Sequence, residues 1–305
     1  MKHLFPRLLL AFSLLSLATA CGDDGESIEF GQGGSGGQGG STTAPKEVTA
    51  RMETPATKTD GSTVVLSHST LEGGRNVMTY CLEFDKQALH SRWIAFRFDG
   101  DTRAKNVSRS QEPFADDPDL SPAYQIGSGG FGGHYNRGHL CASADRLYSA
   151  AANNNTFYMS NMSPQLSSFN QGYWVTLEGL VQRLGRDKSF ADTLYVVKGG
   201  TVAAGQTLGT VSRSGGKRVQ VPKYYFMALL KVKNGVYSSL AFWMEHKEYG
   251  YGYDSQAPLS VIATHAVKVN ELERLSGINF FPNLTKIKQK EESIEAQFTP
   301  SNWKM

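Results

Sequence analysis

Apolar residues fall in short clusters along this chain. From about residue 60 onward, runs such as NVMTYCLEF and RWIAFRF bring aliphatic and aromatic side chains together over strand-like lengths. LYVVKGG, YYFMALLKV and SLAFWMEH repeat that texture further on. Two stretches change period. Phe169, Trp174, Leu177 and Leu180 recur at helical spacing and predict a helix over roughly 168–184, its stripe turned to the core. VNELERLS predicts a second helix over roughly 269–276, closed by Gly277 in the manner of a C-cap. SRSQEPFADDPDLSPAYQ is rich in Pro and Asp and reads as an irregular loop. Strands and helices mix without strict alternation and no internal repeat is present, so the pattern predicts an α+β fold.

The N-terminus follows different rules. MKHLFPRLLLAFSLLSLATA has a basic start, a short apolar run and small residues before Cys21, the layout of a secretion signal. The run from Leu8 to Ala20 is too short for a comfortable membrane span. Cys21 directly after Ala18-Thr19-Ala20 resembles a bacterial lipoprotein processing site, with Ala18 where leucine is usual; ordinary cleavage leaving a free thiol is the alternative. Acyl chains on Cys21, at about 0.8 kcal/mol per buried methylene, would hold the protein on a membrane. CGDDGE then resembles the acidic segment of lipoproteins displayed at the cell surface. The expected location is therefore outside the cytoplasm, as an outer-membrane or cell-surface lipoprotein. GQGGSGGQGGSTTAP, residues 31–45, is a tether that buries too little surface to order itself. The expected organisation is a signal peptide at 1–20, a lipid-anchored Gly/Ser-rich linker at 21–55 and one folded domain at 56–305.

Composition changes this picture little. The chain has 305 residues, 40% hydrophobic and 19% charged, enough for a sizeable core. Net charge is +3, and +1 without Lys2 and Arg7. Bulk charge thus gives no argument for a polyanion partner, and any such argument must be local. Cys81 and Cys141 lie in a chain expected to be exported, where pairing is permitted. A bridge needs their Cα atoms within about 4.4–6.8 Å; two buried free thiols are the expectation.

Candidate chemistry concentrates in HYNRGHLCASADR, residues 134–146, where two histidines, two arginines, an asparagine and an aspartate crowd together. The preceding GSGGFGG is no phosphate loop, for no strand-then-helix context and no Gly-Lys-Ser/Thr follow it. Asn170 and Glu178, eight residues apart, would differ on an ideal helix by about 80° of rotation and ~12 Å of rise. Helical side chains lean toward the N-terminus, so one cation could be touched by Asn170 directly and by Glu178 through water. A neutral imidazole can take a proton from water near neutral pH. An amide oxygen is a hard ligand suited to Mg²⁺. A metal and an arginine offset charge growing on a phosphoryl group. Each residue also has a plain structural reading: Asn170 as a helix cap, Glu178 on a solvated face, His139 as a packed ring. Together they point to metal-assisted phosphoryl chemistry.

At these residues the chain resembles a known family. Asn136-Arg137-Gly138-His139, then LCASADR, and later YMSNMSPQLSSFNQGYWVTLE with Asn161, Pro164, Gln165, Asn170, Gly172, Trp174 and Glu178, match its two spaced motifs in order. The family is the DNA/RNA non-specific endonucleases of the ββα-metal, or His-Me finger, fold (the Serratia nuclease and endonuclease G type). The resemblance covers roughly residues 60–285. It implies a mixed, largely antiparallel central sheet with flanking helices, and hydrolysis of DNA and RNA to 5′-phosphate and 3′-hydroxyl ends. It implies His139 as general base, Asn170 as the direct ligand of Mg²⁺, with Mn²⁺ as a substitute, and Glu178 holding a metal-bound water. It implies Asn161 near the phosphate or hydration shell, and Arg109 and Arg137 as cationic groups of the site. No obligate protein partner is implied. Asn136 departs from the motif aspartate, and Gln182, with Arg183 beside it, stands where an arginine is frequent. These departures motivate a rival expectation: a surface lipoprotein that binds nucleic acid with weakened catalysis. A secreted toxin nuclease is a third reading, which the lipoprotein-like start opposes. His134 and Arg146 are expected to be loop scaffolding.

Overall fold

The computed structural model describes residues 44–305 apart from 112–113 and 288–290. The expected signal peptide, Cys21 and the Gly/Ser tether up to residue 43 lie outside the described residues. No helix among the described residues is long and apolar enough to cross a membrane.

A seven-stranded sheet forms the scaffold, in the order β1-β2-β3-β6-β9-β10-β11. Its strands are β1 (Thr63–Glu72), β2 (Arg75–Asp85), β3 (His90–Phe98), β6 (Thr193–Gly200), β9 (Tyr224–Lys233), β10 (Val236–Glu245) and β11 (Ala266–Val267). Two short ribbons accompany it: β4 (Tyr135–His139) with β5 (Met162–Leu166), and β7 (Thr207–Ser212) with β8 (Arg218–Pro222). The expected sheet was mixed and largely antiparallel; the observed one is antiparallel at every pairing. Short connections such as the one at Asn234–Gly235 join neighbouring strands, and hairpins impose that direction.

The sheet buries both faces, and the period of two sorts its side chains. Leu82, Phe84, Ile94, Phe96, Leu194, Val196, Met227 and Leu229 point to one core, where Phe169, Trp174, Leu177 and Leu180 of the predicted helical stripe meet them. Cys81, Trp93, Ala95, Val197, Phe226 and Ala228 point to the other, against Val269, Leu272, Phe280 and Phe281. Each large apolar side chain so enclosed contributes about 1.5–3 kcal/mol. Cys81 and Cys141 are buried free thiols in different cores, as expected.

Two boundaries differ from expectation. The linker ends earlier than residue 55: Lys46–Thr49 is a short helix, and Val48 is buried in the second core. Asn283 Nδ2 donates to the Thr49 and Arg51 carbonyls, so this segment is stapled to the domain. The helix predicted over 168–184 is also composite. Phe169–Trp174 is a π-helical turn, and the α-helix proper runs Val175–Arg186. The second predicted helix is Val269–Ser276, ended by Gly277 in the left-handed conformation, as its sequence indicates.

Candidate active site

The ribbon β4–β5 followed by the π turn and the 175–186 helix makes a ββα unit. Alternation along β4 turns Arg137 and His139 to one side, Asn136 and Gly138 to the other. Gly138 faces Gln165 so closely that a Cβ would sit 2.1 Å from its amide oxygen. Only glycine lets the strands approach there.

Arg137 and His139 line a cleft of about 590 Å³. Arg109, Ser143, Asn170, Glu178 and Gln182 line the same cleft. Five expected site residues thus converge: His139, Asn170, Glu178, Arg109 and Arg137. Arg109 Nη1 donates to Ser143 Oγ at 2.8 Å. The ideal-helix spacing for Asn170 and Glu178 does not apply, because the π turn carries Asn170 while Glu178 sits in the α-helix. The wider turn re-aims the asparagine, a common use of π bulges. The Asn170 amide makes no side-chain hydrogen bond among the described residues.

The His139 ring is walled by Phe114 and Phe157, with centroids 5.7 and 5.3 Å away. Arg137 lies over Phe114 at 3.7 Å and Arg109 over Phe157 at 5.0 Å. His139 Nε2 is enclosed and has no hydrogen-bond partner among the described residues. Burial, helped by Arg109, Lys198 and Arg137, pushes the imidazole down to about 3, so it is neutral.

Glu178 is held from behind. Trp174 Nε1 donates to its Oε1 at 3.1 Å, and Lys198 Nζ lies 3.5 Å from the same oxygen. Lys198, fully buried on β6, also pairs with fully buried Asp145 at 2.6 Å. Burial pushes the Glu178 carboxyl above its ordinary range, and Lys198 pulls against that. Burial also works against the Lys198 ammonium, but Asp145 and Glu178 outweigh it and raise its pKa. Asp145 accepts from the Ala142 amide and from Gln182 Nε2 as well. Sequence reasoning missed this network. Its one signal was a lysine inside the otherwise apolar run LYVVKGG.

Asn161 requires correction. It is fully buried and does not line the cleft. Its Oδ1 accepts from the Cys141 amide, and its Nδ2 donates to the Cys141 and Thr156 carbonyls. No donor remains for a phosphate. Asn161 fixes the chain just beyond His139 instead. Arg146 is fully buried between Phe96 and Phe98, a scaffolding place as expected, and His134 is exposed and does not line the cleft. Arg183 is exposed and does not line the cleft either, so Gln182 has no cationic substitute there.

His68, Asp117 and Asp119 form a second cluster of ligand-type side chains, within 4.8 Å of one another and apart from the cleft lining. Asp117 Oδ2 there already accepts from His68 Nε2 at 2.9 Å and from the Ser160 hydroxyl. The cluster clamps the 114–120 segment to β1 and to the turn preceding β5.

Residues 60–287 match a family model described as DNA/RNA non-specific endonuclease. Nuclease C1 of Cunninghamella echinulata var. echinulata is 27% identical over 216 residues, 68% of this chain and 81% of its own. Mitochondrial endonuclease G of Bos taurus is 27% identical, with 68% of each chain covered. Mitochondrial nuclease EXOG of Xenopus laevis is 26% identical across 70% of this chain and 60% of its own. Among solved structures, a chain of the EndoG/EndoGI complex superposes with a TM-score of 0.54 at 23% identity, covering 71% of this chain and 86% of its own, a likeness of fold.

Proposed function

Since the chain belongs to the DNA/RNA non-specific endonuclease family, we propose that it is an exported, Mg²⁺-dependent endonuclease that cuts DNA and RNA with little sequence preference. The observation that carries this reading is the convergence of His139, Asn170, Glu178, Arg109 and Arg137 on one cleft.

The donor set fits a hard divalent cation. Asn170 offers an amide oxygen with no competing hydrogen bond, and Trp174 and Lys198 engage only Oε1 of Glu178, leaving Oε2 for a metal-bound water. Bound there, the cation supplies charge neutralisation at the phosphoryl and leaving oxygens. The chain's own residues do the rest. Arg109 and Arg137 orient the phosphate and offset its charge. His139, kept neutral by burial, takes the proton of the attacking water. A phosphate arriving beside the two arginines screens them and raises the basicity of the imidazole. The products are 5′-phosphate and 3′-hydroxyl ends. Backbone contacts without base-edge readout suit a non-specific enzyme, and binding should weaken steeply with salt.

Nothing at the departures favours a binding protein that has lost catalysis. Asn136 lies on the β4 face opposite His139, and Gln182 is engaged by Asp145. Digestion of plasmid DNA and of RNA, with Mg²⁺ and with EDTA, tests the reading. Metal-dependent cutting is expected; binding without cutting would replace the enzyme by the rival. The proposed attachment as an outer-membrane or cell-surface lipoprotein rests on the sequence around Cys21. Cys21→Ser should release the protein from membranes, and continued retention would refute acylation there.

A further inference from the structure

The proposed chemistry leaves one wall of the cleft without a task. Gly252 and Ser255 exchange two backbone hydrogen bonds of 3.2 Å, with Tyr253 and Asp254 at the tip between them. Tyr253 is 73% exposed, yet it lines the cleft with Asn170, Gln171 and Gln256. Single exposed apolar side chains are ordinary on a surface. The other large ones here, Leu71, Leu208, Val236 and Phe298, do not line the cleft.

The tip is docked. Tyr249 stacks face to face on Tyr173, centroids 3.9 Å apart and planes 5° from parallel. The Ala257 amide donates to the Gly172 carbonyl at 2.7 Å, and the Thr176 hydroxyl donates to the Ala257 carbonyl at 2.9 Å. Gly172 is so close that a Cβ on it would lie 2.4 Å from the Gly252 nitrogen. The hairpin therefore rides on the same π turn that presents Asn170. The backbone that carries Tyr253 is thus anchored at both ends, while its ring stands exposed at the cleft wall, so little backbone freedom is lost on binding.

A ring so placed, in the same cleft as cationic groups that hold a phosphate, is a stacking platform. Every base has a π face, so stacking tolerates any sequence. A paired base keeps its faces inside the duplex. We propose that Tyr253 stacks on an unpaired nucleobase of the strand held in the cleft, so that the enzyme prefers single-stranded DNA or RNA to duplex. The proposal rests on the nuclease reading above.

The test compares kcat/KM for one oligonucleotide sequence, single-stranded and duplexed, with Mg²⁺. In Tyr253→Ala the single-strand-to-duplex ratio should fall about tenfold, within the range measured for stacked bases. The change should appear in KM rather than kcat. Tyr253→Phe and Tyr253→Trp should keep the ratio, since both retain a ring. In EDTA, binding of the single strand by Tyr253→Ala should weaken by a similar factor. An unchanged ratio in Tyr253→Ala, or failure of Tyr253→Phe to retain it, overturns the stacking role while the nuclease reading stands. A wild-type protein that cuts neither substrate overturns both.

Discussion

Lys198 Nζ sits 2.6 Å from Asp145 Oδ2 with both side chains fully buried, and 3.5 Å from Glu178 Oε1. One ammonium thus joins the loop after His139 to the helix that carries Glu178. Removing it leaves two carboxylates without their cation. Lys198→Met should cost about 3–5 kcal/mol in denaturant unfolding. Asp145→Asn combined with Lys198→Met should cost less than the two single losses summed. Strict additivity in that double-mutant cycle would show that the pair is not coupled.

His139 and Asn170 separate chemistry from stability. His139→Ala should lower cleavage by about 10²–10⁴-fold, the range for a lost general base, with the circular dichroism unchanged. Substantial residual activity would remove it from that role. Asn170→Ala should lower the rate and shift the Mg²⁺ titration to higher concentration. An unaltered titration would contradict its assignment as a ligand.

Gly138 admits no side chain. Gly138→Ala drives a methyl into Gln165, and overpacking of this kind costs about 1–3 kcal/mol. It should also displace His139, one residue away, and depress kcat. Adding Gln165→Ala should restore part of both, because it empties the space that the methyl needs. No recovery in the double variant would place the strain elsewhere.

Acid should loosen β5. His90 Nε2 lies 2.6 Å from Ser163 Oγ, and His246 Nε2 accepts from the Leu166 amide at 2.8 Å. Burial pushes both imidazoles down to about 4, from an ordinary 6.5. Their folded values lie below the unfolded one, so their contribution to stability is complete above pH 6.5 and declines as pH falls from 6.5 through 4. Unfolding free energy measured across that window should drop. His90→Phe and His246→Phe should flatten the drop while lowering stability at pH 8. His139, pushed down to about 3, should keep kcat/KM from falling through its own protonation until the pH nears that value.

Much of the scaffold was legible because its strands are apolar runs of strand length, and the sheet's 75–85, 90–98, 193–200, 224–233 and 236–245 strands fall on them. Strand β1 was less so, for TVVLSHSTLE dilutes its apolar positions with Ser, His and Thr. The two motifs alone single out His139, Arg137, Asn170 and Glu178. The π turn was hidden because FNQGYW carries the same apolar stripe as an α-helix, and only backbone hydrogen bonding tells them apart. Asn161 misled for a related reason. A polar residue beside a motif looks like a contact until its partners show that backbone has consumed it. Tyr253 lies in a segment whose Gly and Asp announce a turn, but no local signal says which wall the turn completes.

None of the residues lining the cleft belongs to the seven-stranded sheet. Lys198 reaches up from it, but otherwise the reactive surface is assembled from the ββα unit and outlying loops. Warming should therefore uncouple two events. Cleavage should fade while the sheet's circular dichroism persists, since the outlying loops that complete the cleft open at lower free energy than a central sheet. Over evolutionary time the same arrangement leaves the walls open to change, so that substrate preference can drift while the scaffold beneath stays as it is.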